Sequence, residues 1–201
     1  MKKLLCVMLL SVMLVVTVAA GPISFGIGNY CRHIESVYDG VPEETLFDPN
    51  FYRFGTDVRF QILFLEFTMN GAFSNGNEFY SGIMTLGVRT PLFGFLDFGL
   101  GIGPFYGILY DQGETTSFRH YHNDENPEVW YYWQVENFGE VITSSIVGYR
   151  LHLDARIGKF SLGVSLEAPT VGYTIDNGDF QAMDINVEKM RIGASAMYWF
   201  L

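Results

Sequence analysis

From residue 24 onward, bulky apolar side chains recur at every second position, separated by Gly, Ser, Thr, Asn or a charge. A period of two is the signature of a β-strand with one apolar and one polar face, and no stretch sustains the i, i+3, i+4, i+7 spacing of an amphipathic helix. The alternation predicts eight strands, at about 24–34, 51–61, 63–73, 79–90, 95–109, 141–157, 160–175 and 187–200. In the fifth, Leu96, Phe98, Leu100, Ile102 and Tyr106 face one way and Asp97, Gly99, Gly101, Gly103 and Gly107 the other. The sixth sets Val147, Tyr149, Leu151, Leu153 and Ala155 against Gly148, Arg150, His152, Asp154 and Arg156. The last alternates Met190, Ile192, Ala194, Ala196, Tyr198 and Phe200 with Arg191, Gly193, Ser195, Met197 and Trp199.

The connections alternate as well. Tight turns are expected around Gln61–Leu63, at Pro91-Leu92-Phe93-Gly94 and at Gly158-Lys159, and longer loops at about 35–50, 74–78, 110–140 and 176–186. Short turns at one end, long loops at the other and an even strand count describe an up-and-down antiparallel transmembrane β-barrel, both termini on the short-turn, periplasmic side. Before the first strand the chain reads differently. Lys2 and Lys3, an apolar run from Leu4 to Val16 and the small residues Val18, Ala19 and Ala20 have the build of a secretory signal peptide, residues 1–20, cleaved after Ala20. The barrel domain is then 21–201. Cys6 falls in the leader, so Cys31 is the mature chain's single thiol and no internal disulfide is available.

Periodicity alone does not say which face is inside. A water-soluble barrel buries its apolar face, whereas a membrane barrel turns it to lipid and keeps polar side chains in the lumen. Strand parity gathers Arg32, Arg53, Arg59, Arg89, Arg150, Arg156, Lys189 and Arg191 with Asp57, Glu66, Asp97, Asp154 and Glu167 on Gly- and Ser-rich faces. The opposite faces are Phe, Leu, Val, Ile and Tyr. The leader, the loop asymmetry and aromatic residues at strand ends (Tyr106, Tyr110, Tyr149, Tyr198, Phe200) favour the membrane arrangement, with outer-membrane lipid against the apolar face.

With that architecture the chain resembles the small eight-stranded outer-membrane β-barrel proteins, the group of the OmpA transmembrane domain, OmpX and OmpW. The resemblance covers about 23–201 and is most specific in the last strand, Arg191-x-Gly193-x-x-Ala196-x-Tyr198-x-Phe200. Gly193, Tyr198 and Phe200 look like the C-terminal signal read by the outer-membrane barrel assembly machinery, which the resemblance implies as a partner. Such chains commonly end in Phe; here Leu201 follows Phe200.

An eight-stranded barrel is just wide enough for side chains to fill. Charges there cost several kcal/mol each unless paired, so a salt-bridge network is expected from Arg53, Asp57, Arg59, Glu66, Arg89, Asp97, Arg150, His152, Asp154, Arg156, Glu167 and Arg191. Candidate pairs are Arg59 with Asp57 or Glu66, and Arg150 or Arg156 with Asp154. The same residues would line a narrow, OmpW-like path for small solutes if the lumen conducted, and their positive excess would favour anions. A lipid-A-modifying enzyme would need a nucleophile beside a base; His33 near Ser36 is too loose a pair, and no catalytic residue is assigned. His120-x-His122-x-Asp124 has the donors of a zinc site but the composition of a solvated loop, so no metal site and no cofactor are assigned. Gly99-x-Gly101-x-Gly103 keeps strand spacing with no helix after it, unlike a phosphate loop.

Charge sharpens the picture. The 201 residues carry 22 acidic against 12 basic side chains, a formal −10, which excludes the basic footprint of a nucleic-acid binder. Most of the acid is in the long loops: Glu35, Asp39, Glu43, Glu44, Asp48, Glu78, Asp111, Glu114, Asp124, Glu125, Glu128, Glu136, Glu140, Asp176, Asp179 and Asp184, opposed there by Arg119. Trp130, Tyr131, Tyr132 and Trp133 stand in the longest of these loops as a candidate surface for a ligand. The sequence therefore points to a non-enzymatic outer-membrane barrel with a plugged lumen and acidic surface loops.

Overall fold

A computed structural model describes residues 23–33, 45, 48–73, 79–111, 114–123, 126–134, 138–174 and 185–200. The expected leader, 1–20, and parts of the long loops lie outside the described residues. The strands are β1 (Ile23–His33), β2 (Tyr52–Ile62), β3 (Leu65–Phe73), β4 (Phe79–Pro91), β5 (Leu96–Asp111), β6 (Glu114–Asn123), β7 (Asn126–Gln134), β8 (Ile146–Ile157), β9 (Phe160–Thr174) and β10 (Arg191–Trp199). Eight of them, β1 to β5 and β8 to β10, form a closed antiparallel up-and-down barrel in chain order, sealed where β10 pairs with β1. The seam runs from Gly26 opposite Trp199 to Arg32 opposite Gly193.

Six of the eight expected strands match within two residues at each end. Two begin later than the alternation predicts. The segment expected from 141 begins as a short helix, α1 (Phe138–Ser144), and enters the barrel only at Ile146. There Val141 is buried and Ser145 Oγ donates to the Val141 carbonyl at 2.5 Å, closing the last turn. The segment expected from 187 begins with a one-turn 3-10 helix, Val187–Lys189. Lys189 is therefore exposed ahead of β10 and contributes nothing to the lumen.

A third difference is larger. The expected loop 110–140 contains the hairpin β6–β7, which continues the sheet beyond the barrel by pairing Ile108–Asp111 of β5 with Glu114–Ser117. Its β-branched and aromatic content (Thr115, Thr116, Val129, Trp130 to Trp133) outweighs the acidic residues that made it read as loop.

The turns at one end are tight. Ile62 pairs with Leu65 and Ile157 with Phe160, so Leu63–Phe64 and Gly158–Lys159 are two-residue hairpin loops. Such loops match the twist of the strands only with positive φ. Gly158 supplies it at +60°, but the first loop has Leu63 at +55°.

Burial follows parity as expected for an inverted barrel. Along β1 to β3 the outward residues Ile23, Phe25, Ile27, Phe54, Phe60, Ile62, Leu65 and Phe67 are exposed, and the same holds for Leu86, Leu100, Leu151, Phe160 and Leu162 around the wall. Inward positions are buried and mostly polar. Ile157 is 80% exposed while Arg59 and Arg150 are 0% exposed, the reverse of a water-soluble core.

Candidate functional site: the lumen network

Period-two alternation sends one side chain in two from every strand into the lumen, and cylinder closure brings them within reach across it. At the short-turn end Arg89 on β4 donates to Glu66 on β3 at 3.1 Å and to Asp97 on β5 at 2.5 Å. His152 Nε2 on β8 stands 3.0 Å from Glu66 Oε1 and 3.5 Å from Asp154 Oδ2. Arg59 on β2 pairs with Asp154 through Nη1 and with Asp57 through Nη2 at 2.8 Å and Nε at 3.1 Å, while Nη2 also reaches Ser195 Oγ on β10 at 3.0 Å. Arg150 Nη2 meets Asp57 Oδ2 from β8 at 2.7 Å.

Toward the long-loop end, Glu167 on β9 accepts from Tyr30 Oη at 2.6 Å and Asn70 Nδ2 at 2.5 Å. Arg150 Nε is 3.9 Å from its Oε1 and Arg32 Nη1 is 3.6 Å from its Oε2. Arg32 then donates through Nη2 to Ser81 Oγ at 2.5 Å. The contacts form one connected chain from Asp97 to Ser81, with a member on each of the eight barrel strands.

The fully buried part of this network is balanced. Arg32, Arg59, Arg89 and Arg150 face Asp57, Glu66, Asp154 and Glu167. The positive excess expected for the lumen is absent from its centre: Lys189 is outside, and Arg53, Arg156 and Arg191 are only half-buried, at the two ends. Arginine suits this setting because its planar guanidinium satisfies several acceptors at once and is the more weakly hydrated cation.

Some expected pairs are present and others are not. Arg59 does bind Asp57. Glu66 goes to Arg89 and His152 rather than to Arg59, and Asp154 is taken by Arg59, not by Arg150 or Arg156. Parity assigns a face, but which depths meet across the lumen depends on the stagger between strands, which a single sequence does not display. Arg156 instead lies 4.8 Å from the Trp199 ring centroid, opposite Arg89 at 4.5 Å, and Trp199 Nε1 donates to Ser161 Oγ at 2.9 Å. Two guanidiniums thus share one indole at the short-turn end. Arg53 donates to the backbone carbonyls of Asn50 and Tyr52, at its own strand's entry. Arg191 stands opposite Glu167 across the β9–β10 ladder.

Uncharged members were missed: Tyr30, Asn70, Ser81, Ser195 and Trp199. Parity places each on the polar side, yet no charge marks it. One glycine is required by the packing, since a Cβ on Gly99 would sit inside the imidazole of His152, its partner across the β5–β8 ladder. His33 is buried, its Nε2 3.4 Å from the Thr45 carbonyl and its ring stacked on Phe51 at 6.0 Å; Ser36 lies outside the described residues.

Gly193 is buried on the lumen side of β10. Tyr198 and Phe200 point outward in a ring cluster: Phe160–Tyr198 at 5.2 Å, Tyr198–Phe200 at 5.1 Å and Phe25–Phe200 at 5.7 Å. At the other end Phe73 and Tyr80 pack at 4.7 Å. Trp130 to Trp133 lie on β7, where Trp130 and Tyr132 oppose His120 and Phe118 while Tyr131 and Trp133 oppose Arg119 and Ser117. Among the described residues no group of three His, Cys, Asp or Glu side chains is placed to hold a metal ion.

No family model matches the chain, and no curated protein matches it. Among solved structures it is similar to Ail, the attachment invasion locus protein of Yersinia pestis, in complex with the heparin analogue sucrose octasulfate. That likeness has 12% identity over 89% of this chain and 97% of the other, with a TM-score of 0.37. It is also similar to neisserial surface protein A, NspA, with 9% identity over 88% of this chain and 94% of the other and a TM-score of 0.35. The assignment of the fold stands on the strand pairings themselves, which close the eight-stranded barrel expected of the small outer-membrane barrel group.

Proposed function

We propose that this chain is an integral protein of the bacterial outer membrane, exported by a cleaved leader, non-enzymatic, and closed along its axis by its own side chains. The observation that carries the reading is the inversion: a continuous exposed apolar wall around a buried network of four arginines and four carboxylates. Exposed apolar patches beyond a few hundred Å² mark a partner or a membrane, and here the apolar surface runs round the barrel. A closed barrel is one of the two structures that span lipid with every backbone group satisfied. The aromatic clusters at both ends suit the two interfaces.

On this reading lipid is the first partner, and the assembly machinery that reads Gly193, Tyr198 and Phe200 is the second. The acidic loops and the β7 aromatics Trp130 to Trp133 meet the surroundings, so the protein serves envelope integrity or surface contact. The test is refolding into detergent. The folded barrel is expected to run faster on a gel unboiled than boiled, and its sheet circular dichroism to require detergent or lipid. A sheet signal of full strength in plain buffer would overturn the reading.

A further inference from the structure

Among the described residues, cations outnumber carboxylates at the long-loop end of the lumen beside the seam. Arg32 on β1 is directly opposite Arg53 on β2, and like charges facing each other across a ladder repel. On the other side of β1, Arg191 enters β10 two residues before Gly193, the partner of Arg32. Three arginines thus occupy lumen-parity positions on adjacent strands, the backbones of the outer two about 10 Å apart across the ladders and about 7 Å apart along them, while the Arg32 guanidinium lies over the Phe105 ring at 5.8 Å. The carboxylate that serves them among the described residues is Glu167, already committed to Tyr30, Asn70 and Arg150. Arg32 is 4% exposed, and its Nη1 makes no hydrogen bond, the nearest carboxylate oxygen being Glu167 Oε2 at 3.6 Å. Arg53 spends its Nη1 on backbone carbonyls.

We infer that Arg32, Arg53 and Arg191 form a binding site for an oxyanion, a sulfate or phosphate group, at the outer mouth of the lumen. Such a group offers several acceptor oxygens to the guanidinium forks and relieves their mutual repulsion. The site rests on the lumen geometry and not on which membrane holds the barrel.

The test uses the refolded mature protein in a non-ionic detergent, with sodium sulfate compared to sodium chloride at equal ionic strength by calorimetric titration and by urea unfolding. Sulfate is expected to bind saturably and to raise the unfolding midpoint where chloride does not. Arg191→Gln and Arg53→Gln should each weaken binding about tenfold, the loss of one charge-assisted contact, and Arg191→Lys should retain part of it. Unboiled gel mobility reports whether each variant folds. A second arm identifies the source: displacement by inositol hexaphosphate assigns the site to soluble anions, and displacement only by bisphosphorylated lipid A in mixed micelles assigns it to a headgroup. Sulfate and chloride acting alike on the wild type, or folded Gln variants binding sulfate as well as the wild type, overturns the proposal.

Discussion

Asp57 receives both Arg59 and Arg150 on one buried carboxylate, at 2.8 and 2.7 Å. Removing one member of such a set leaves the others charged and unpaired, which costs about 3–5 kcal/mol. Asp57→Asn is accordingly expected to lower unfolding stability in urea by about that amount. Asp57→Asn combined with Arg150→Gln should lose less than the two single losses together, because the second change removes an orphaned charge. A fall for Asp57→Asn below about 1 kcal/mol would mean that water reaches the network. Leu63 is the opposite case, a residue working against its own backbone. Left-handed φ costs a non-glycine residue about 1–2 kcal/mol, and asparagine tolerates it better. Leu63→Asn should raise the urea midpoint of the detergent-refolded barrel, while Gly158→Ala, at φ +60°, should lower stability by about 1 kcal/mol.

The strands were legible because an exposed apolar wall on one side and a packed polar lumen on the other impose strict alternation, and six of the eight match their expected bounds within two residues. Legibility failed where that constraint ends. Above the barrel no lumen enforces a polar face, so β6 and β7 carry aromatics and polar residues without regular alternation and resembled a loop. Lys189 has strand-like parity with Arg191 but sits in a 3-10 turn, where parity has no meaning. Among the described residues the β6–β7 hairpin pairs with the barrel through Ile108–Asp111 of β5. Replacing 112–136 with a short Asn-Gly turn is therefore expected to leave gel heat-modifiability intact and the unfolding free energy in urea within about 0.5 kcal/mol of the parent. A barrel that no longer folds would show the hairpin to be part of its core.

Across the whole molecule, the network has a member on each of the eight barrel strands, and Arg89 and Arg156 both lie over the Trp199 ring; in the proposed reading these side chains plug the lumen. Planar-bilayer recording of the wild type is expected to show no discrete conductance steps. Steps that vanish when Arg59 or Arg150 is substituted would establish an aqueous path in place of the plug. The amino-acid sequence by itself determined the eight barrel strands, the order of short and long connections, the face of each barrel strand that carries charge, and the concentration of acid in the long loops. These follow from local periodicity and composition, which two strands never need to meet to display. Only the tertiary structure decided which charges pair, that the buried set is electrically balanced, that Arg89 and Arg156 share Trp199 at one end, and that Arg32, Arg53 and Arg191 take lumen-parity positions on adjacent strands at the other. Those are properties of depth and stagger around a closed cylinder: residues 95 positions apart, such as Arg59 and Asp154, become neighbours only when β10 meets β1.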